Sequence, residues 1–184
     1  MVVAYAMAMA AVVLIAAIVI YNGLVGARFR VREAWSAIDV QLQRRASLIP
    51  NLVDTVKGYA SFERDTLTKI TEARSALGSA SGARAAAKAN DDLSGALGRL
   101  IAVAEAYPDL KANERFAQLQ ADLADTENKI AYARNYYNGA VEAYNIKTQS
   151  LPGVLIARAA GFAPAEFFTA EAGAAAVPAA NASI

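Results

Sequence analysis

Between Val2 and Ile20 the chain has no charged side chain, and the first formal side-chain charge is Arg28. At about 1.5 Å of rise per residue, a helix over that run crosses roughly 30 Å of hydrocarbon. Val12, Val13, Leu14, Ile15, Ile18, Val19 and Ile20 make up its apolar body, and Tyr21 and Asn22 stand where an interfacial collar is expected. A cleaved signal would need a basic stretch ahead of the apolar block. No Lys or Arg precedes it, although Ala6-Met7-Ala8 and Ala8-Met9-Ala10 mimic cleavage sites. Residues 1–27 therefore read as a retained single-pass anchor with a juxtamembrane segment, and the bilayer is the first expected partner.

Charge gives the expected orientation. Arg28, Arg30 and Arg32, followed by Arg44 and Arg45, crowd the C-terminal flank, whereas the N-terminal flank offers only the α-amino group. Under the positive-inside rule the N-terminus lies outside and the remainder faces the cytoplasm.

The 184 residues leave room for one domain beside the anchor. The chain has neither cysteine nor histidine, which excludes disulfides, thiolate and imidazole ligands, cysteine nucleophiles and the usual general base near neutral pH. With 18 basic and 17 acidic residues the net charge is +1, too little excess to hold a nucleic-acid backbone. Walker, dinucleotide-binding, nucleophile-elbow and EF-hand patterns are all missing. Asp122, Asp125 and Glu127 read as a solvated helix face in preference to a metal site, and Asn181-Ala182-Ser183 is a chance-level glycosylation triplet. No catalytic residue, cofactor, metal or small-molecule substrate is expected.

Past the anchor, apolar or small residues recur in steps of three and four within three runs: Val31, Trp35, Ile38 and Leu42, then Ile49, Leu52, Val56 and Tyr59, and later Ile70, Ala73 and Leu77. This spacing predicts one long helix over about 28–77, running on from the membrane. Pro50 falls inside it and is expected to kink it, a hinge being the alternative. Arg45 and Glu63 occupy seam positions, so each needs a partner on another helix; fixing register is preferred to lining a binding groove. Gly78 to Asn90 reads as a flexible connection into a second helix, about 84–106, with Leu93, Leu97, Leu100 and Ala104 on its apolar face and Tyr107-Pro108-Asp109 at its end. A third helix, about 113–150, carries Phe116, Leu119, Leu123, Thr126, Ile130, Ala133, Tyr137, Ala140 and Tyr144 in the same alternation, with Asn113 as N-cap and Asp125 and Lys129 as a surface pair. Tyr132 and Tyr136 leave the seam and are candidates for an interface, ordinary packing being the alternative. Leu151-Pro152-Gly153 stops this helix. The bundle domain thus spans 28–151. Residues 152–184 hold an aromatic segment, with Phe162, Phe167 and Phe168 expected to cap the bundle, contact of Phe167 and Phe168 with the membrane surface or a partner being the alternative, and an Ala/Gly/Pro tail from Ala172.

Several blocks resemble the LemA family of bacterial membrane proteins: Tyr21-Asn22-Gly23-Leu24-Val25, Glu33 to Leu42, Arg44-Arg45, Leu48 to Val53, Val56 to Tyr59, Thr71 to Arg74, Gly98 to Asn113, Glu127-Asn128, Tyr136 to Asn138, Tyr144-Asn145 and Leu151 to Gly153. The resemblance implies an all-α fold, an N-terminal transmembrane helix followed by an antiparallel bundle of long helices. It also implies no established catalysis and an association with membrane proteases or envelope stress. Anchor, seams and absent motifs together lead to a non-enzymatic scaffold that forms homo-oligomers at the membrane. An adaptor for another membrane protein, such as a protease, is the alternative.

Overall fold

The computed structural model describes residues 1–57 and 64–169. Tyr59, Glu63, the tail from Ala172 and the Asn181 triplet lie outside the described residues. Those described form six helices and no strand: α1 (Val2–Lys57), α2 (Arg64–Ser79), α3 (Ala83–Ala104), α4 (Pro108–Lys111), α5 (Glu114–Gln149) and α6 (Gly153–Ala159). The class is all-α, and among the described residues α1 is the one helix long and apolar enough to cross a membrane. Residues 2–16 of it are all exposed, and Val13 at 63% and Val19 at 65% show how little of the apolar run has protein cover. Covering such a side chain is worth about 1.5–3 kcal/mol, so a whole run of them calls for a non-aqueous surround.

The chain divides into two units, Met1–Asp39 with Ala131–Glu166, and Val40–Ile130 with the residues from Phe167. Residues of α1 and of α5 belong to both.

In the first unit α1 and α5 run antiparallel. Trp35 meets Tyr137 edge to face at 5.6 Å. Tyr144 donates to the Ala163 carbonyl, and the preceding residue, Phe162, packs on Tyr21. As α1 numbers fall, α5 numbers rise. Leu24, Ala27, Ala34 and Ile38 are buried from α1, and Ala133, Tyr137, Val141 and Tyr144 from α5. Beyond Tyr137 the α5 stripe runs through Val141, not through Ala140, which is half-buried.

The corner after α5 is tightly built. A side chain at Gly153 would strike the Lys147 carbonyl, so only glycine fits there. At its far end α6 closes in a Schellman arrangement: Phe162 N–H reaches the Ala157 carbonyl at 2.9 Å and Gly161 N–H the Arg158 carbonyl at 3.4 Å. Gly161 has φ of 71°, a conformation that glycine takes freely. This seven-residue helix was not expected from the sequence, which marked only the stop at Leu151-Pro152-Gly153.

The second unit corrects the expected helix over 28–77. In one straight helix Ala46 and Arg74 would lie about 42 Å apart, yet Arg74 Nε donates to the Ala46 carbonyl at 3.0 Å. α2 therefore returns along α1 as a hairpin. The periodicity ran across two terminal signals, Lys57 in the last turn of α1 and Asp65 in the first turn of α2. The connection expected over Gly78–Asn90 also shrinks, to Ala80–Gly82. Gly82 opens α3 with φ of 88°, and the alanine-rich stretch is helix, with Ala83, Ala86, Ala87 and Ala89 buried because small side chains admit close packing. Joined by so short a link and packed together, α2 and α3 are antiparallel neighbours. Tyr107 is extended ahead of Pro108, which opens α4. Asn113 Oδ1 accepts from Phe116 N–H at 3.1 Å, the N-cap expected for α5.

Pro50 sits inside α1 without ending it. It has no N–H to offer the carbonyl four residues back, and that carbonyl is Ala46, the group that Arg74 contacts. The orphan created by proline in α1 is thus satisfied from α2. Arg74→Ala is expected to lower stability by about 1 kcal/mol. Its cost should shrink in a Pro50→Ala background, where the helix supplies its own donor. Thermal unfolding of the four variants by circular dichroism measures this coupling; equal costs in both backgrounds would exclude it.

Candidate functional site

No cluster of three or more Asp, Glu, His or Cys side chains poised for a metal occurs among the described residues. Several of their charged and aromatic side chains are joined in hydrogen-bonded and ion-paired networks.

Arg45 is the most constrained of these. Its side chain is 4% exposed, and its terminal nitrogen donates to Asn90 Oδ1 on α3 at 2.6 Å and pairs with Glu127 Oε2 on α5 at 2.5 Å. Ser94 adds a 3.4 Å hydrogen bond to the same carboxylate. Burial pulls the Arg45 pKa below the usual guanidinium value, while the charges of Glu127 and Asp91 and the hydrogen bond to Glu127 oppose the shift. The group keeps its charge at neutral pH. Arg45 Nε and, one turn earlier on α1, Gln41 Oε1 are buried without a protein partner, a donor and an acceptor of complementary sense.

A second ion pair flanks this one. Asp125 accepts from Lys129 at 2.8 Å and from Arg44 at 3.0 Å. The Lys129 hydrogen bond leads in holding its carboxyl below the ordinary range. The resulting stability is present above the ordinary carboxylate pKa and disappears as pH falls through the depressed one; screening by solvent keeps it small. Between α2 and α3 run two adjoining grooves of about 500 and 480 Å³, sharing Lys69, Ala96 and Arg99 and carrying charges of both signs.

In the first unit, polar side chains hold the segment after α6. Tyr137 donates to the Glu166 carbonyl at 2.8 Å, and burial, helped by the Glu166 charge, raises its pKa. The Asn145 amide pairs with Ala165 in both directions, at 3.0 and 2.8 Å. Arg28 lies over the Phe162 ring at 5.8 Å.

The remaining residues singled out from sequence separate into distinct settings. Arg28, Arg30 and Arg32 are exposed just past the apolar run, where Arg32 also lies over Phe29. Tyr132 and Tyr136 are 79% and 51% exposed, Phe167 is half-buried and Phe168 is buried. Missed were Asn90 and Glu127, the partners of Arg45, and Asn145. A charge at a seam position on α1 asks for an acid beside the facing seam, and Glu127 adjoins Thr126 there. No local pattern distinguishes Asn90.

Comparison with known proteins places these blocks. The model described as LemA family matches residues 34–181. The chain is 28% identical over 174 residues to Magnetosome protein MamQ 1 of Paramagnetospirillum magneticum, covering 80% of this chain and 64% of that protein. It is 25% identical to Magnetosome protein MamQ of Magnetospirillum gryphiswaldense, with the same coverage. Against Protein LemA of Metamycoplasma hominis it is 28% identical over 127 residues, 68% of this chain and 58% of that one. The chain therefore spans less than two thirds of the length of these relatives.

Removing one partner of a buried ion pair strands the other. Glu127→Ala is expected to cost about 1–3 kcal/mol, less than a fully buried pair would lose, because Glu127 is itself half exposed. The double variant Arg45→Met with Glu127→Ala should recover part of that loss. Chemical denaturation reads both, and additive costs would mean that the pair is not coupled.

Proposed function

The chain belongs to the LemA family, and from that premise we propose that it is a non-enzymatic, single-pass membrane scaffold that self-associates through its helical region. The observation that carries this reading is the continuity of α1, whose uncovered apolar run and bundle-forming turns are one helix, Val2–Lys57. A helix satisfies its own backbone in hydrocarbon, so no connecting loop is required at the membrane surface. Anchoring confines copies to a plane and raises their effective concentration, so weak lateral contacts suffice for assembly. Tyr132 and Tyr136, large and exposed, are the side chains best suited to such contacts. The proposed orientation, with the N-terminus outside and the bundle cytoplasmic at a bacterial inner membrane, rests on Arg28, Arg30 and Arg32.

Because the chain has no native cysteine, single cysteines report without background. Val2→Cys in intact cells is expected to react with an impermeant thiol reagent, and Tyr132→Cys only after lysis; the reverse pattern overturns the orientation. In mild detergent the full chain is expected to run as an oligomer by light scattering, and Tyr132→Ala with Tyr136→Ala should shift it toward monomer. A monomer throughout, with crosslinks in membranes to a distinct protein in place of itself, would favour the adaptor role.

A further inference from the structure

The first unit has a second apolar surface besides the anchor. Where α5 turns into α6, Leu151 is 77% exposed and Leu155 62%, beside the exposed ring of Pro152. Large aliphatic side chains gathered at one corner of a domain are unusual against water.

The height of this corner follows from contacts within the unit. Trp35 meets Tyr137, and α5 runs antiparallel to α1. Fourteen residues on from Tyr137 is Leu151, two past the end of α5, and fourteen back from Trp35 is Tyr21, each about 21 Å away by helix rise. Helix rise thus brings the corner level with Tyr21, the residue that ends the apolar run. Past the far end of α6 the Phe162 ring lies 5.7 Å from that of Tyr21, so the chain leads from the corner back to the same residue.

Charge agrees with position. No acidic residue occurs from Met1 to Arg32 or from Ala143 to Ala165, and those stretches hold Arg28, Arg30, Arg32, Lys147 and Arg158, with all three arginines of the collar and Arg158 exposed. An exposed apolar tip in stretches whose only charges are cationic matches the boundary of an anionic bilayer, where acyl chains receive the aliphatics and phosphates the guanidinium groups.

We propose that the α5–α6 corner is a second membrane contact, inserting Leu151, Pro152 and Leu155 into the interfacial zone of an anionic lipid leaflet beside the anchor. The proposal rests on α1 being embedded in the bilayer, as argued above. Two attachments, one spanning and one interfacial, hold the first unit upright and stop it from swinging about α1.

The full chain, reconstituted into phosphatidylcholine vesicles with and without phosphatidylglycerol, is labelled with an environment-sensitive fluorophore at one introduced cysteine: Ile15→Cys, Leu151→Cys, Leu155→Cys or Tyr132→Cys. Tyr132 lies about 28 Å from Leu151 along α5 and serves as the water-exposed reference. Chain-brominated lipids are expected to quench Ile15, Leu151 and Leu155 and to leave Tyr132 bright. Quenching at the two leucines should deepen with phosphatidylglycerol and lose that increment in Arg158→Gln with Lys147→Gln. Quenching at Ile15 alone overturns the proposal and leaves the anchor standing. A blue-shifted but unquenched signal at the leucines also overturns it, pointing to a second protein copy as their cover. If Ile15 is unquenched, anchor and corner contact both fall.

Discussion

The guanidinium of Arg45 sets the terms on which α1, α3 and α5 meet in the second unit. At 4% exposure it cannot draw on solvent, so Asn90 and Glu127 must come within reach of one nitrogen. An apolar seam tolerates sliding by a turn with modest loss, but a slide here strands a buried charge. Leucines Leu93, Leu97 and Leu123 supply burial without saying which turn faces which. The ion pair supplies that choice. The same logic governs Pro50 and Arg74, where a missing backbone donor on one helix is answered by a side chain from its neighbour.

Both devices explain how far the fold could be read from the sequence. Burial periodicity was legible wherever a helix was long: Ile38, Leu42, Ile49, Leu52 and Val56 on α1 and Phe116 through Ala133 on α5 are buried where the three-four alternation put them. Reversals were not. The α1–α2 hairpin preserves the apolar period across its break, so the pattern alone cannot separate one helix from two. Only terminal charge and the Ala46–Arg74 contact do. The alanine-rich start of α3 was misjudged for a related reason, since alanine is at once the best helix former and the composition of a linker. Of the site, Arg45 announced itself by breaking a pattern. Asn90 breaks none, and its role exists only once three helices are brought together.

Uncharged polar groups in the first unit have a different task. Tyr137, Tyr144 and Asn145 all bond backbone groups of the segment from Ala163 to Glu166, and Asn145 does so in both directions, as a neighbouring strand would. A segment rich in alanine and proline has little apolar bulk with which to fix itself. Three side chains from α5 replace the missing core contacts with hydrogen bonds. Side chains of this kind could be mistaken for a catalytic constellation by type alone. Their partners are carbonyls and an amide of the main chain, so their capacity is already committed to structure.

That commitment bears on where the unit can move. α6 is tied at its start by Gly153, which admits no side chain against Lys147, and at its end by the Schellman closure and the bonds that follow. Phe162, carried at that closure, lies between Tyr21 and Arg28, the last aromatic of the apolar run and the first charge after it. A ring at that junction reads both sides of the boundary, with an apolar edge contact below and a cation above. Displacing α1 along its axis by one turn, about 5.4 Å, would separate Phe162 from both partners at once and break the Trp35–Tyr137 contact as well. The axial position of α1 and the packing of the first unit are therefore one variable, and a force that changes the first must be felt in the second.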